Sequence, residues 1–224
     1  HKGLTYFYVD MKTPGIEAKP IKQISGSANF NEVFFNDVRI SDCQRIGAEG
    51  DGWKVSLTTL MNERLAVGDP PGLDFDQIFE ASKEIEVEDG LAVKNSEVRQ
   101  KMADWYIQSR GLQYTKYRSM TALSKGQTPG PELSISKLVT ASKMQDVSSY
   151  ALDLMDMSGM VHQDQNPILK NLFQNGYFFS AAMRIAGGTD EVLRNIIAER
   201  VLGLPQDERS DKKLPFNELP SGKN

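Results

Sequence analysis

Two places in the chain combine residue types that can carry acid–base or anion chemistry. One is Leu60-Met61-Asn62-Glu63-Arg64, and the other is Gly187-Gly188-Thr189-Asp190-Glu191. Glu63 and Arg64 interrupt an apolar stripe, because Leu57, Leu60, Met61 and Leu65 recur at one-face helical spacing and should be buried. A carboxylate beside a guanidinium at the edge of such a stripe is either a solvated pair or a pair held against a ligand. It can serve as a base only if desolvation or bound ligand raises its pKa and if it reaches the proton it removes. In the second phrase Thr189 or Asp190 can cap a helix, and the free amides of that helix start suit the phosphates of a dinucleotide. Other chemistries find little support. His1 and His162 sit in no metal-ligand spacing, the single cysteine, Cys43, permits no intrachain disulfide, and no metal is expected. A net charge of -4 without a basic stripe argues against nucleic acid as a partner. No apolar run approaches the roughly twenty residues that span a bilayer, so a soluble, cytoplasmic protein is expected.

The elements that would position these residues change character near Gly52. Before it the pattern is strand-like: Leu4 to Val9, Ile16 to Ile21, Phe30 to Phe35, then Val38 to Ile40, with Ile46 to Gly52 glycine-rich. So few strands make a poor sheet alone, so residues 1–52 are expected to share a sheet with strands upstream of them. After it the period is helical. Trp53 to about Gly68 is a helix ended by Asp69-Pro70-Pro71-Gly72, and Leu73 to Val87 resumes with an acidic end. Asn95 or Ser96 caps a helix to Ser124, with Val98, Met102, Trp105, Leu112, Met120 and Leu123 facing inward. Pro131 opens another helix that ends near Gly159. Pro167 to Phe173 is a short helical piece, Tyr177 to Ala186 a helix, and Glu191 to Leu202 the last one, stopped by Gly203 and Pro205. The fold class expected is mainly α: a C-terminal four-helix up-and-down bundle, residues 53–205, preceded by a partial antiparallel β domain and followed by a polar tail, 206–224.

Four phrases in this order resemble the acyl-CoA dehydrogenases, a family of flavoenzymes. They are Gly3-Leu4-Thr5-Tyr6-Phe7-Tyr8-Val9-Asp10 with Thr13-Pro14-Gly15, then Phe30 to Phe35 with Asp37-Val38-Arg39-Ile40 and Gly47 to Trp53, then Leu60 to Arg64, and finally Gly187 to Val192 with Arg194 to Gly203. The resemblance covers nearly the whole chain and implies a C-terminal fragment, with 1–52 as the C-terminal part of a β-barrel domain; alone, that fragment is expected neither to bind flavin nor to turn over acyl-CoA. The reaction implied is α,β-dehydrogenation of an acyl-CoA thioester, with a base taking the α-proton and hydride leaving the β-carbon for flavin N5.

In most of the family the base is a Glu immediately before the Gly-Thr of the closing phrase, where this chain has Gly187. A smaller set places it on the first C-terminal helix before an Arg, as in Glu63-Arg64, and a small residue at 187 leaves room for that approach. The resemblance therefore implies Glu63 as catalytic base with Arg64 positioned beside it. It implies Met61, Asn62 and Gly187 at the substrate, and Gly188, Thr189, Asp190 and Glu191 at FAD. The local alternatives are a paired surface carboxylate for Glu63 and a bridge to Glu32 for Arg64. Two departures concern the flavin. No Arg-x-x-Phe-Gly phrase lies between Leu73 and Arg99, and Asp156 and Met157 stand where relatives usually carry glycines. The partners implied are the acyl-CoA, electron-transfer flavoprotein as acceptor, and further subunits in a homo- or hetero-oligomer, dimer or tetramer. A flavin monooxygenase on the same fold and a non-catalytic subunit of a heteromeric dehydrogenase are the alternative readings.

Overall fold

The protein is described by a computed structural model that covers residues 3–66, 73–127, 131, 133–161, 171–207 and 214–219. The β region consists of short antiparallel pairs. β1 (Tyr6–Phe7) pairs with β4 (Arg45–Ile46), and β2 (Ile16–Ile21) with β3 (Phe30–Phe35), in the register Ile16 to Phe35 through Ile21 to Phe30. The extended segment expected at Val38 to Ile40 is not a strand. A 3-10 turn at Asp42–Gln44, its carboxylate gripping Arg45 at 2.8 and 2.9 Å, delays pairing to Arg45–Ile46. Every residue of β3 is exposed, including Phe30, Phe34 and Phe35, and no described residue before Leu73 belongs to the hydrophobic core.

Among the described residues six α-helices follow: α1 (Gly52–Ala66), α2 (Phe75–Ser82), α3 (Ser96–Ser124), α4 (Leu133–Leu154), α5 (Leu172–Met183) and α6 (Asp190–Ile196), the last running into a π turn at Ile197–Val201. The mainly helical fold with small antiparallel sheets is as the sequence leads one to expect. The polypeptide enters α1 at a close approach, where the Gly52 amide donates to the Leu4 carbonyl at 2.7 Å and a Cβ on Gly52 would stand 2.7 Å from that carbonyl. Leu57 and Leu60 are nonetheless 44% and 50% exposed, so the described part of the α1 stripe is not buried as expected. The reason is that α1 packs chiefly on β1, away from the core.

The core lies where α4 meets α2, α3 and α5, around Ile78, Met102, Trp105, Met144, Val147, Ala151 and Phe173. Val98, Met102 and Trp105 point inward as expected, but Met120 and Leu123 are more than half exposed, because the 29-residue α3 outruns its cover. Leu73 to Val87 is shorter as a helix than its periodicity implies. Asp74 caps α2, which stops at Ser82, and Gly90 at φ 110° reverses the chain between β5 (Glu86–Val87) and β6 (Gly90–Leu91). The helix expected from Tyr177 begins five residues earlier, since Phe173, Gly176 and Ser180 form one buried stripe that seats α5 on α4.

Gly176 marks the tightest point of that seat. A Cβ there would stand 2.1 Å from Leu73 Cδ1 and 2.6 Å from Ser148 Oγ. Gly176→Ala is expected to destabilise the fold by about 2 kcal/mol through overpacking, despite the gain in helix propensity. A urea midpoint equal to or above wild type would contradict this packing.

Candidate functional site

The turn Gly187-Gly188 reverses the chain between α5 and α6 with both residues in the left-handed region, at φ 69° and 109°. That conformation alone favours glycine. The position is also open, since a Cβ at 187 would meet no atom of the described residues within 4 Å. Thr189 caps α6, its Oγ1 accepting from the Val192 amide at 3.3 Å. Of the two caps considered from sequence, Thr189 takes the role, and Glu191 faces out while Asp190 faces in.

Asp190 is 2% exposed, and its Oδ2 accepts from Arg184 Nε at 2.6 Å. Arg184 in turn donates from NH1 to Gln145 Oε1 on α4 at 2.7 Å. Asp190 Oδ1 is buried and has no hydrogen-bond partner among the described residues. The carboxylate is therefore spent on the interior, and only the backbone of Asp190 is placed to meet a ligand outside the turn. From α4, Lys137 Nζ donates to the Gly188 carbonyl at 2.6 Å. Burial lowers the pKa of Lys137 below the usual lysine value; Asp190 opposes that shift and Arg184 reinforces it.

These residues fit a flavin in shape. Two side-chain-free positions give a flat group close access to the backbone, and the Arg184 charge neutralises the acid that would otherwise stand behind a pyrophosphate. The helix dipole adds little, because α6 has only seven residues before it widens into the π turn.

At Asp156 the backbone has φ 48°, a left-handed conformation that glycine adopts without strain. A glycine-like backbone shape is thus kept at Asp156, though not at Met157, while the side chains differ. Gln174 ties the following turn to α5, donating to the Gly159 and Val161 carbonyls at 2.7 and 2.9 Å.

The backbone of α1 is helical through Ala66, which places Met61, Asn62, Glu63 and Arg64 in its closing turns. Their side chains, and the break expected at Asp69 to Gly72, lie outside the described residues, as does His162. The structure thus brings together Gly187, Gly188, Thr189 and Asp190 and adds Lys137, Gln145 and Arg184, which sequence reasoning missed. Arg184 stands six positions before Asp190 with no helical spacing to link them, and Lys137 is 51 positions from its carbonyl. No local pattern announces either contact.

A second polar cluster lies in the core. Lys143, 3% exposed, donates to Asp74 Oδ1 at 2.7 Å and to Ser109 Oγ at 2.9 Å, and Ser109 donates to Asp74. A sequence signal for it exists, because Lys143 occupies the same helix face as the buried Val147 and Ala151. Its lysine is matched to a carboxylate, so the cluster joins α2, α3 and α4 and offers no free base. Among the described residues no helix is long and apolar enough to cross a membrane.

Comparison with known proteins adds four findings. The family model of the acyl-CoA dehydrogenase C-terminal domain matches residues 50–202. Acyl-CoA dehydrogenase IpdE1 of Mycobacterium tuberculosis is 34% identical over 210 residues, covering 93% of this chain and 53% of the relative. Acyl-CoA dehydrogenase FadE34 of the same organism is 32% identical over 208 residues, covering 92% of this chain and 27% of the relative. Among solved structures, the ChsE4-ChsE5 complex from Mycobacterium tuberculosis superposes with a TM-score of 0.72 at 20% identity, over 92% of this chain and 53% of that one. The chain spans about half the length of IpdE1 and about a quarter of FadE34.

Proposed function

The chain belongs to the acyl-CoA dehydrogenase family, and from that premise we propose that it forms part of a site for α,β-dehydrogenation of an acyl-CoA thioester. Glu63 removes the α-proton, Arg64 holds that carboxylate in place, and Met61, Asn62 and Gly187 lie along the acyl group. Gly188, Thr189 and the backbone of Asp190 and Glu191 meet FAD, which when bound supplies the acceptor for the β-hydride. The observation that carries this reading is the open, side-chain-free position at Gly187, supported by a Glu-Arg order in the sequence that falls on the closing turns of the α1 backbone.

The substrate's α-proton is weakly acidic, so Glu63 must work in a pocket that excludes water and holds the thioester carbonyl in place. Such a pocket needs more walls than these residues supply. Leu57, Leu60 and the aromatic face of β3 are exposed in this chain, so the working site is completed by further sequence of the family's usual length or by another subunit. Alone, the chain is proposed to be inactive. The exposed stripe of Ile107, Tyr114, Tyr117 and Met120 on α3 supports assembly into a homo- or hetero-oligomer. Electron-transfer flavoprotein is the proposed electron acceptor.

The test is anaerobic addition of acyl-CoA to flavin-loaded protein that carries this chain. Bleaching of the flavin band with formation of the 2-enoyl thioester is expected. Oxygen consumption with reduced FMN, and no bleaching by any acyl-CoA, would replace the dehydrogenase reading with a monooxygenase.

A further inference from the structure

Two adjacent glycines with positive φ make a turn that is free to flex, since glycine restricts the backbone least. Yet both sides of this turn are tied to α4. Lys137 fixes the Gly188 carbonyl, and eight residues further along α4 Gln145 holds Arg184, which holds Asp190. Eight residues are about 12 Å of helix, so the two ties grip α4 at separate points and the turn cannot pivot about either one. The direction of the Gly188 peptide decides where the Thr189 amide points, and the Asp190 anchor decides where α6 begins.

We propose that Lys137 and Arg184 are positioning residues that preset the Gly187–Asp190 turn for the reaction; this rests on the reading that the turn meets the flavin and the thioester. Neither touches a reacting atom. Each acts through the turn: Lys137 through a carbonyl, Arg184 through the one oxygen of Asp190 that has a partner among the described residues. The tie at Asp190 therefore rests on Arg184, because its loss leaves a buried carboxylate with no hydrogen-bond partner among the described side chains.

The experiment compares wild type with Lys137→Met, Arg184→Met and Arg184→Lys in flavin-loaded protein. Amide exchange across residues 186–192 is read without flavin, and flavin affinity, kcat and KM are read with it. Each Met variant is expected to speed exchange in the turn about tenfold while the α3 core amides keep their wild-type protection. Each is expected to lower kcat about tenfold or more, with a smaller change in KM for the thioester. Arg184→Lys should recover most of the Arg184→Met loss, an outcome that a cation need explains and a packing need does not. Turn exchange equal to wild type in both Met variants overturns the proposal. So does faster exchange with unchanged flavin affinity and kcat, since the turn would then be held but idle. Failure of the assembled wild-type protein that carries this chain to take up flavin would instead sink the functional reading on which the proposal stands.

Discussion

Glu63→Gln is expected to slow substrate reduction of the flavin by about a thousandfold or more while flavin content and thioester binding stay near wild type. Glutamine keeps the shape of the side chain and its hydrogen-bonding reach but cannot accept the α-proton. An effect confined to kcat follows, because the carboxylate's advantage exists only where the proton is in flight. Stopped-flow reduction under anaerobic conditions measures this directly. A rate within about tenfold of wild type would move the base elsewhere, because positioned general bases contribute at least a hundredfold. The open space at Gly187 supplies a second arm. Adding Gly187→Glu to Glu63→Gln restores a carboxylate at the position most of the family uses, with room for a Cβ but with a left-handed backbone that an ordinary residue adopts at a cost of about 1 kcal/mol. Partial recovery of reduction is the expected result, and a double variant no faster than the single one would show that the two positions do not reach the same carbon.

The parts of this molecule that local rules govern were legible in the residues. Strands Ile16–Ile21 and Phe30–Phe35 and helix Ser96–Ser124 have the bounds that alternation, capping and turn chemistry dictate. The Asn95 cap bonds the Glu97 and Val98 amides, as its position requires. The parts that depend on distant contacts were not. Leu57 and Leu60 have helical spacing, but spacing cannot say whether a partner is present to cover them. The acidic end at Glu84 to Asp89 read as a solvated helix terminus, whereas Gly90 turns it into a hairpin that periodicity hides. At the candidate site the turn itself was visible as Gly-Gly-Thr-Asp. Its supports were not, because Lys137 and Arg184 reach it by tertiary packing of α4 and α5, and the inward aim of Asp190 depends on that packing.

The half-buried Asp74–Ser109–Lys143 cluster leads to the largest stability effect. Asp74 both caps α2, accepting from the Phe75 amide at 2.6 Å, and neutralises a lysine that is almost wholly buried. Asp74→Ala removes the cap, worth about 1 kcal/mol, and strands the Lys143 charge with only the Ser109 hydroxyl. The Asp74 side chain is 44% exposed, so solvent discounts the pair, and the total loss is expected to be about 3 kcal/mol, or a Tm lower by about 6–12 °C. Lys143→Met should cost far less, about 1 kcal/mol, because it leaves the cap intact and the remaining carboxylate within reach of water. It should also relieve Asp74→Ala when the two are combined, so that the double variant is more stable than Asp74→Ala alone. The pH dependence has a definite sign. Burial raises the Asp74 pKa, but the bonds from Lys143, Ser109 and the Phe75 amide outweigh it and hold the carboxyl below the usual aspartate value. A depressed carboxyl contributes stability that is fully present above its unfolded value and is lost as the pH falls through the folded one. The gap between wild type and Asp74→Asn in chemical denaturation should therefore hold steady from neutral pH down to the ordinary aspartate range and close below it. A gap that stays constant under acid, or a double variant no more stable than Asp74→Ala, would mean that the cluster acts through shape and not through its buried charge.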